Sequence, residues 1–425
     1  MTAKPRDLVA ALRARGLVHQ VTDEALGPLS AKEPLTAYIG FDPTASSLHA
    51  GSLYPVMLLA QAARAGHRPI ALLGGGTGLI GDPGGRDEER PLIAEQEARA
   101  NLEGMKAQIA RLLEGAGAEV LDNAEWLRPL RVVEFLRDVG KHFSVNWMMA
   151  KDSVRTRLED REHGISYTEF AYMLLQAYDY YRLWKDRGCR LQMGASDQWG
   201  NITAGIELIR RRDGGEAFGL TCPLLLTPDG KKFGKSAGNA VWLDASLTSP
   251  YRFLQFWMNQ EDAAAADLLA PYTFLAMEEV AALRAEAAKA PEKRLCQRRL
   301  AREVTSFVHG KDAADRAEKA ARVLFGEGSL RDLDAATLRE VFGSVPALRR
   351  PKSAASTDAY AALFCDPALG LCSSKGEFKR LLAQKALSVN DAPLAAETVR
   401  AEDLLPGGVL ILRKGKKSYG MVEYD

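Results

Sequence analysis

The apolar positions of the chain change period several times, and each change marks an element. Residues 35–41 (LTAYIGF) and 69–73 (PIALL) are apolar runs of strand length that end at glycine, the pattern of strands covered on both faces. Between them SLYPVMLLAQAARAG predicts a helix that opens at Ser52, accepts Pro55 in its first turn and stops at Gly66. Strand, helix and strand within about 40 residues make a βαβ unit. The expectation is a parallel sheet in an α/β domain, with ligands at the C-terminal ends of its strands.

Further along, Ser166 followed by Glu169 is a capping box that opens a long helix closed by Gly188. A short strand, CRLQMG, and a helix from SDQWGNITAGIELIRRR come next. From 250 to 325, alanine, leucine, arginine and glutamate recur at helical spacing without a strand signal, which predicts a separate helical domain. ALRRPKSAASTDA (347–359) is polar and contains proline, as a linker does. The last 65 or so residues have the pattern of a small α/β module with its own basic cluster.

Composition narrows the class. A chain of 425 residues holds two or three domains. Its 56 basic and 55 acidic residues leave a net charge of +1, so any nucleic-acid surface has to be local. The N-terminus lacks the apolar core of a signal peptide, and no apolar run is long enough to span a bilayer. A soluble, cytoplasmic protein without membrane contact is expected. The cysteines (Cys189, Cys222, Cys296, Cys365, Cys372) are odd in number and scattered, which points to neither a disulfide framework nor a metal site.

Two glycine motifs invite nucleotide readings that their context rejects. DGKKFGKSAG ends in Gly234-Lys235-Ser236 like a P-loop, but three residues separate Gly230 from Gly234 where that loop has four. GTGLIG (76–81) fits the dinucleotide fingerprint yet runs into Asp82-Pro83-Gly84-Gly85, which breaks the helix the fingerprint has to open. PTASSLHAGSL (43–53) is the better nucleotide candidate. Gly40 closes a strand, His49 and Gly51 stand where the next helix starts, and Gly51 allows a planar base to approach the backbone. On the long helix, Tyr172, Gln176 and Asp179 share one side at i, i+4 and i+7, flanked by Met173, Leu174 and Leu175. A polar strip in an apolar helix reads as a pocket wall in preference to a solvated face.

With these motifs in view, SLHAGS and KFGKS resemble the His-Ile-Gly-His and Lys-Met-Ser-Lys-Ser signatures of class I aminoacyl-tRNA synthetases. GFDPTA, TGLIGDP, VGKHFSVN, LQAYD and SDQWGNITAG extend the resemblance, specifically to bacterial tyrosyl-tRNA synthetases, over essentially the whole chain. That resemblance implies a Rossmann-like parallel-sheet catalytic domain (1–224) and a mobile KFGKS loop region (225–248). It also implies an all-helical anticodon-arm domain (249–325), a linker (326–358) and a small C-terminal α/β RNA-binding domain (359–425) of a ribosomal-protein type. The implied reaction joins L-tyrosine to ATP, giving tyrosyl-adenylate and pyrophosphate, and then moves tyrosine to the 3′ end of tRNA(Tyr). Mg2+ would travel with ATP as part of the substrate, with no resident metal or organic cofactor, and the protein would be a homodimer.

By the same resemblance, Tyr38 and Asp179 would bind the phenolic hydroxyl, Asp82, Tyr172 and Gln176 the ammonium group, and Gln192 a further wall. His49, Thr44, Lys232 and Lys235 would stabilise the transition state. Gly40, Asp42, Gly51, Ser52, Gly194, Asp197 and Gln198 would complete the ATP side. Lys375, Lys379, Arg380, Arg413, Lys414, Lys416 and Lys417 would meet tRNA phosphates. Arg210 and Arg211 would be a further tRNA contact or, with Arg212, partners of a helix C-terminus. Three positions depart from the family pattern: Ser52 replaces the second signature histidine, Arg86 stands where lysine is common, and Ala195 where glycine is common. The alternatives are a tryptophanyl-type relative and a non-catalytic RNA-binding protein on the same fold.

Overall fold

The computed structural model describes residues 6–82, 94–151, 154–155, 158, 164–225, 233–236, 239–324, 327–343, 345–415 and 418–425. Chain packing divides it into two units, 1–247 with 260–300, and 248–259 with 301–425.

The first unit is built on six strands: β1 (Gln20–Val21), β2 (Thr36–Phe41), β3 (Arg68–Leu73), β4 (Glu119–Asp122), β5 (Cys189–Ala195) and β6 (Phe218–Cys222). Their order is β1-β6-β5-β2-β3-β4, parallel except for β1. The apolar runs in β2 and β3 are buried as their composition requires, and the helix Leu53–Arg64 crosses between them with Gly66 at positive φ beyond its end. After β2 the chain builds outward through β3 and β4; β5 and β6 are added on the other side of β2. The strand order therefore reverses between β2 and β5, where open α/β sheets bind ligands.

The long helix Tyr167–Arg187 opens on the Ser166–Glu169 capping box and closes at Gly188, whose φ is 59°. It lies against the helix Trp199–Asp213, and the approach is close enough that a Cβ on Gly205 would fall 2.7 Å from the Tyr180 ring. Helices of the 260–300 segment also belong to this unit. Gln61 donates to the Thr273 carbonyl at 3.0 Å, and the Arg15 guanidinium donates to the carbonyls of Ala270, Thr273 and Leu275. These contacts satisfy acceptors that the end of the helix Asp262–Tyr272 leaves open. Among the described residues, no helix is long and apolar enough to cross a membrane.

A two-stranded pair, β7 (Lys235–Ser236) and β8 (Asn239–Ala240), begins in the second signature and ends just after it. The second unit holds a five-stranded sheet made of β9 (Ala347–Arg350), β10 (Leu387–Val389), β11 (Ala392–Pro393), β12 (Val409–Lys414) and β13 (Ser418–Tyr424), in the order β11-β10-β12-β13-β9. Alternate residues of β12 enter opposite apolar clusters, Val409 and Ile411 in one, Leu410 and Leu412 in the other. This sheet is thus covered on both faces.

The expected linker is here a structured segment. Residues 347–350 form a strand parallel to β13, Ala355 is buried, and Arg350 pairs with Asp358 at 2.5 Å. Its sequence hid this because the strand is an edge of the sheet with no fully buried side chain, and its arginine charge is met by a partner eight residues on. Across 249–325 the described elements are helices and 3-10 turns, and they are divided between the two units.

Candidate active site

A cleft of about 300 Å³ opens at the C-terminal ends of β2 and β5. Tyr38, Asp82, Tyr172, Gln176, Asp179 and Gln192 line it, as do Gly40, Asp42, Thr44, Ser52, Gly194 and Gln198. His49, Gly51 and Asp197 are not among its lining residues.

Asp179 forms one end. It is 2% exposed, and its carboxylate accepts from the Trp126 indole at 2.7 Å and the Asn123 amide at 2.8 Å. Burial pushes its pKa up to about 7; the two donors oppose the rise, and Asp42 and Asp122 add to it. The Tyr38 hydroxyl, also buried, has no hydrogen-bond partner among the described residues, and burial, then Asp179, drives its pKa upward. Its ring is held 5.3 Å from that of Tyr180.

At the other end, polar side chains are knitted together. Tyr172 donates to Asp42 Oδ2 at 3.1 Å, Gln176 donates to Gln198 at 3.2 Å, and Gln198 donates to Asp82 at 2.6 Å. Gln198, expected on the ATP side, therefore bridges Gln176 and Asp82. No lysine or arginine is among the described lining residues, so the cleft is acidic and favours an ammonium group.

The first signature is organised by its own histidine. His49 Nδ1 accepts the backbone N–H groups of Gly51 (3.0 Å) and Ser52 (3.3 Å), which places the proton of the neutral ring on Nε2. Gly51 was expected to make room for a base; in the structure that room is taken by the second signature. A Cβ on Gly51 would lie 2.3 Å from the Phe233 carbonyl oxygen, and one on Gly234 2.3 Å from the Gly51 nitrogen. The two motifs meet backbone to backbone. Lys232 and Arg86 lie outside the described residues, and Lys235 is placed by its backbone alone, in β7.

A sequence model of the family described as tRNA synthetases class I (W and Y) matches residues 30–326. That description spans two amino acids, and full-length relatives separate them. The chain is 48% identical to the tyrosine–tRNA ligase of Anaeromyxobacter dehalogenans (strain 2CP-1), over 98% of this chain and 99% of that one. It is 48% identical to the tyrosine–tRNA ligase of Roseiflexus castenholzii over 97% and 98%. The chain belongs to the tyrosyl-tRNA synthetases. A C-terminally truncated Aspergillus nidulans mitochondrial tyrosyl-tRNA synthetase superposes on it with a TM-score of 0.69 at 32% identity, covering 76% of this chain and 95% of that one. The synthetase is accordingly a ligase that uses ATP as a substrate, and the tryptophanyl and non-catalytic alternatives are not favoured.

Sequence reasoning missed three side chains of the synthetase's cleft region, Thr77, Asn123 and Trp126. Asn123 and Trp126 come after β4, a four-residue strand (EVLD) too short and too polar to register as one. The arginines expected at tRNA at the end of the helix Trp199–Asp213 are engaged within the chain. Arg210 and Arg211 both pair with Glu207, and Arg212 lies 4.4 Å over the Tyr181 ring. On the second unit, Lys375, Lys379 and Arg380 are exposed. Arg413 is half-buried and donates to Ser388, and Lys414 pairs with Glu377 at 2.8 Å, holding that carboxylate down to about 2. Lys416 and Lys417 lie outside the described residues.

Proposed function

We propose that the cleft seats L-tyrosine with its phenol between Tyr38 and Asp179 and its ammonium group among Asp82, Tyr172 and Gln176, with Gln192 as a wall. One observation carries this assignment: a buried carboxylate already holding two donors shares the cleft with a buried hydroxyl that has no partner among the described residues. A phenolic hydroxyl donates to the first and accepts from the second; a phenyl ring does neither, and the unpaired groups then penalise it.

The tyrosine carboxylate attacks the α-phosphate of ATP in line and expels pyrophosphate with its magnesium. A carboxylate is already nucleophilic at neutral pH, so the protein's part is placement and charge stabilisation. His49, through its Nε2–H, and Thr44 donate to phosphate oxygens, and Lys232 and Lys235 neutralise the leaving group that the acidic cleft does not. Gly40, Asp42, Ser52, Gly194 and Asp197 hold the nucleoside. Transfer to the terminal ribose of tRNA(Tyr) completes the reaction. Residues 249–325 approach the anticodon arm, and Lys375, Lys379, Arg380 and Arg413 with the neighbouring lysines meet phosphates. The active form is a homodimer in the cytoplasm.

The test is exchange of labelled pyrophosphate into ATP with tyrosine, phenylalanine or tryptophan, without tRNA. Exchange with tyrosine alone, abolished in Asp179→Ala, is expected. Equal exchange with phenylalanine would defeat the assignment of Asp179 and Tyr38.

A further inference from the structure

Thr77 begins the short turn Thr77–Leu79 after β3, and it has no part in the substrate contacts proposed for the cleft. It is 3% exposed, and its neighbours fix the direction of every hydrogen bond it makes. Asn123 accepts the Gly76 N–H on Oδ1 at 2.7 Å. Both hydrogens of its amide nitrogen therefore point the other way, one to Asp179 Oδ2 at 2.8 Å and one to Thr77 Oγ1 at 2.9 Å. Turning the amide over would set an NH2 against the Gly76 N–H and an oxygen against the Asp179 carboxylate, so one orientation survives. The Thr77 hydroxyl, having accepted, gives its single proton to Asp42 Oδ1 at 3.1 Å, and Tyr172 supplies the other Asp42 oxygen at 3.1 Å.

Space around this contact is reserved as well. A Cβ on Gly74 would stand 2.2 Å from Asp42 Oδ1 and 2.6 Å from Thr77 Oγ1, so only glycine lets the carboxylate and hydroxyl meet over that backbone.

We propose that Thr77 is a positioning residue, a one-way hydrogen-bond relay that holds Asp42 in register with Asp179. Through it, the carboxylate at the phenol end and the carboxylate at the nucleotide end are set by one amide, so tyrosine and ATP are aligned against a common frame. The inference rests on the substrate roles proposed for Asp179 and Asp42.

The decisive experiment compares wild type, Thr77→Val, Thr77→Ser, Asp42→Ala and the Thr77→Val/Asp42→Ala double variant in tyrosine-dependent pyrophosphate exchange, separating kcat from KM for both substrates. Valine keeps the shape and removes the hydroxyl. A lost hydrogen bond to a charged group corresponds to a fall in kcat of roughly tenfold to a hundredfold. Serine is expected to restore the rate to within about threefold, and valine to cost clearly less once Asp42 is absent than in its presence, the remainder being the Asn123 amide left without its Thr77 acceptor. Gly74→Ala, which crowds Asp42 and Thr77 apart while keeping the threonine hydroxyl, is expected to reproduce the valine loss, and it stands in should Thr77→Val fail to fold. A wild-type rate for Thr77→Val, a serine variant no better than valine, or an undiminished valine cost without Asp42 would each overturn the relay. A silent Asp42→Ala would overturn it differently, by removing the site assignment beneath it.

Discussion

Asp179 carries the sharpest consequence at the scale of single residues. Its pKa in the fold, about 7, is raised above the unfolded value, so the fold favours the protonated form. That contribution to stability is complete below the unfolded pKa and is lost as pH rises through about 7. Bound tyrosine donates to the ionised form, so it recovers what the free protein loses. The thermal shift produced by tyrosine is therefore expected to be larger near about pH 8 than near about pH 6, and the difference to vanish in Asp179→Asn. Equal shifts at the two pH values would contradict it. Ser52 is a quieter position. It lines the cleft, but its side chain does not cap the helix it precedes. Ser52→His is expected to keep the exchange rate within about tenfold, the range of a single hydrogen bond. A drop of several orders of magnitude would reveal a role for the serine itself.

Among the elements, the junction of the two signatures is the most constrained. Gly51 and Gly234 admit each other's backbones, and a methyl group on either would sit well inside contact distance. Overpacking of this kind costs about 1–3 kcal/mol. Gly51→Ala should consequently slow adenylate formation by about tenfold or more while leaving equilibrium binding of tyrosine alone unchanged, because the phenol site is built from β2, the long helix and the segment after β4. Calorimetric titration with tyrosine beside the exchange assay would check it, and a parallel loss of tyrosine binding would count against it. The glycine was legible in the sequence as a site of close approach; what approaches was not, because Phe233 lies 182 positions away and nothing local records that contact.

For the whole molecule, the exposed apolar surface asks for a partner. Val132, Val133 and Tyr167 are 73%, 76% and 77% exposed, and Val145 and Met149 join them as exposed apolar residues. Gathered into one patch, side chains of this kind mark an association surface. The segment GKHFSVNWMMAK is apolar enough in sequence to suggest an interface, yet its Phe143 and Met148 are core residues, and the exposed apolar side chains in it are Val145, Met149 and Ala150. A second copy of the chain is the expected occupant. If the proposed dimer uses this surface, Val133→Asp should leave a monomer in sedimentation experiments, with the fold intact by circular dichroism. An unchanged sedimentation coefficient would place the interface elsewhere.

Strand β2, the helix after it, the capping box at Ser166 and the glycine that ends the long helix are local events, written in periodicity and in residues with special backbone or capping chemistry. So are the two signatures and the strip of Tyr172, Gln176 and Asp179. These were open to the sequence alone because neighbours a few positions apart decide them. The rest depends on segments far apart in the chain. β4 is a strand only because β3 offers an edge, β9 only because β13 does, and Asn123 joins the cleft only because the fold carries it to Asp179, 56 residues on. The same holds for charge: Asp179 is an ordinary aspartate in sequence, and only enclosure in the tertiary structure, where desolvation outweighs two donated hydrogen bonds, moves its proton affinity to neutral pH.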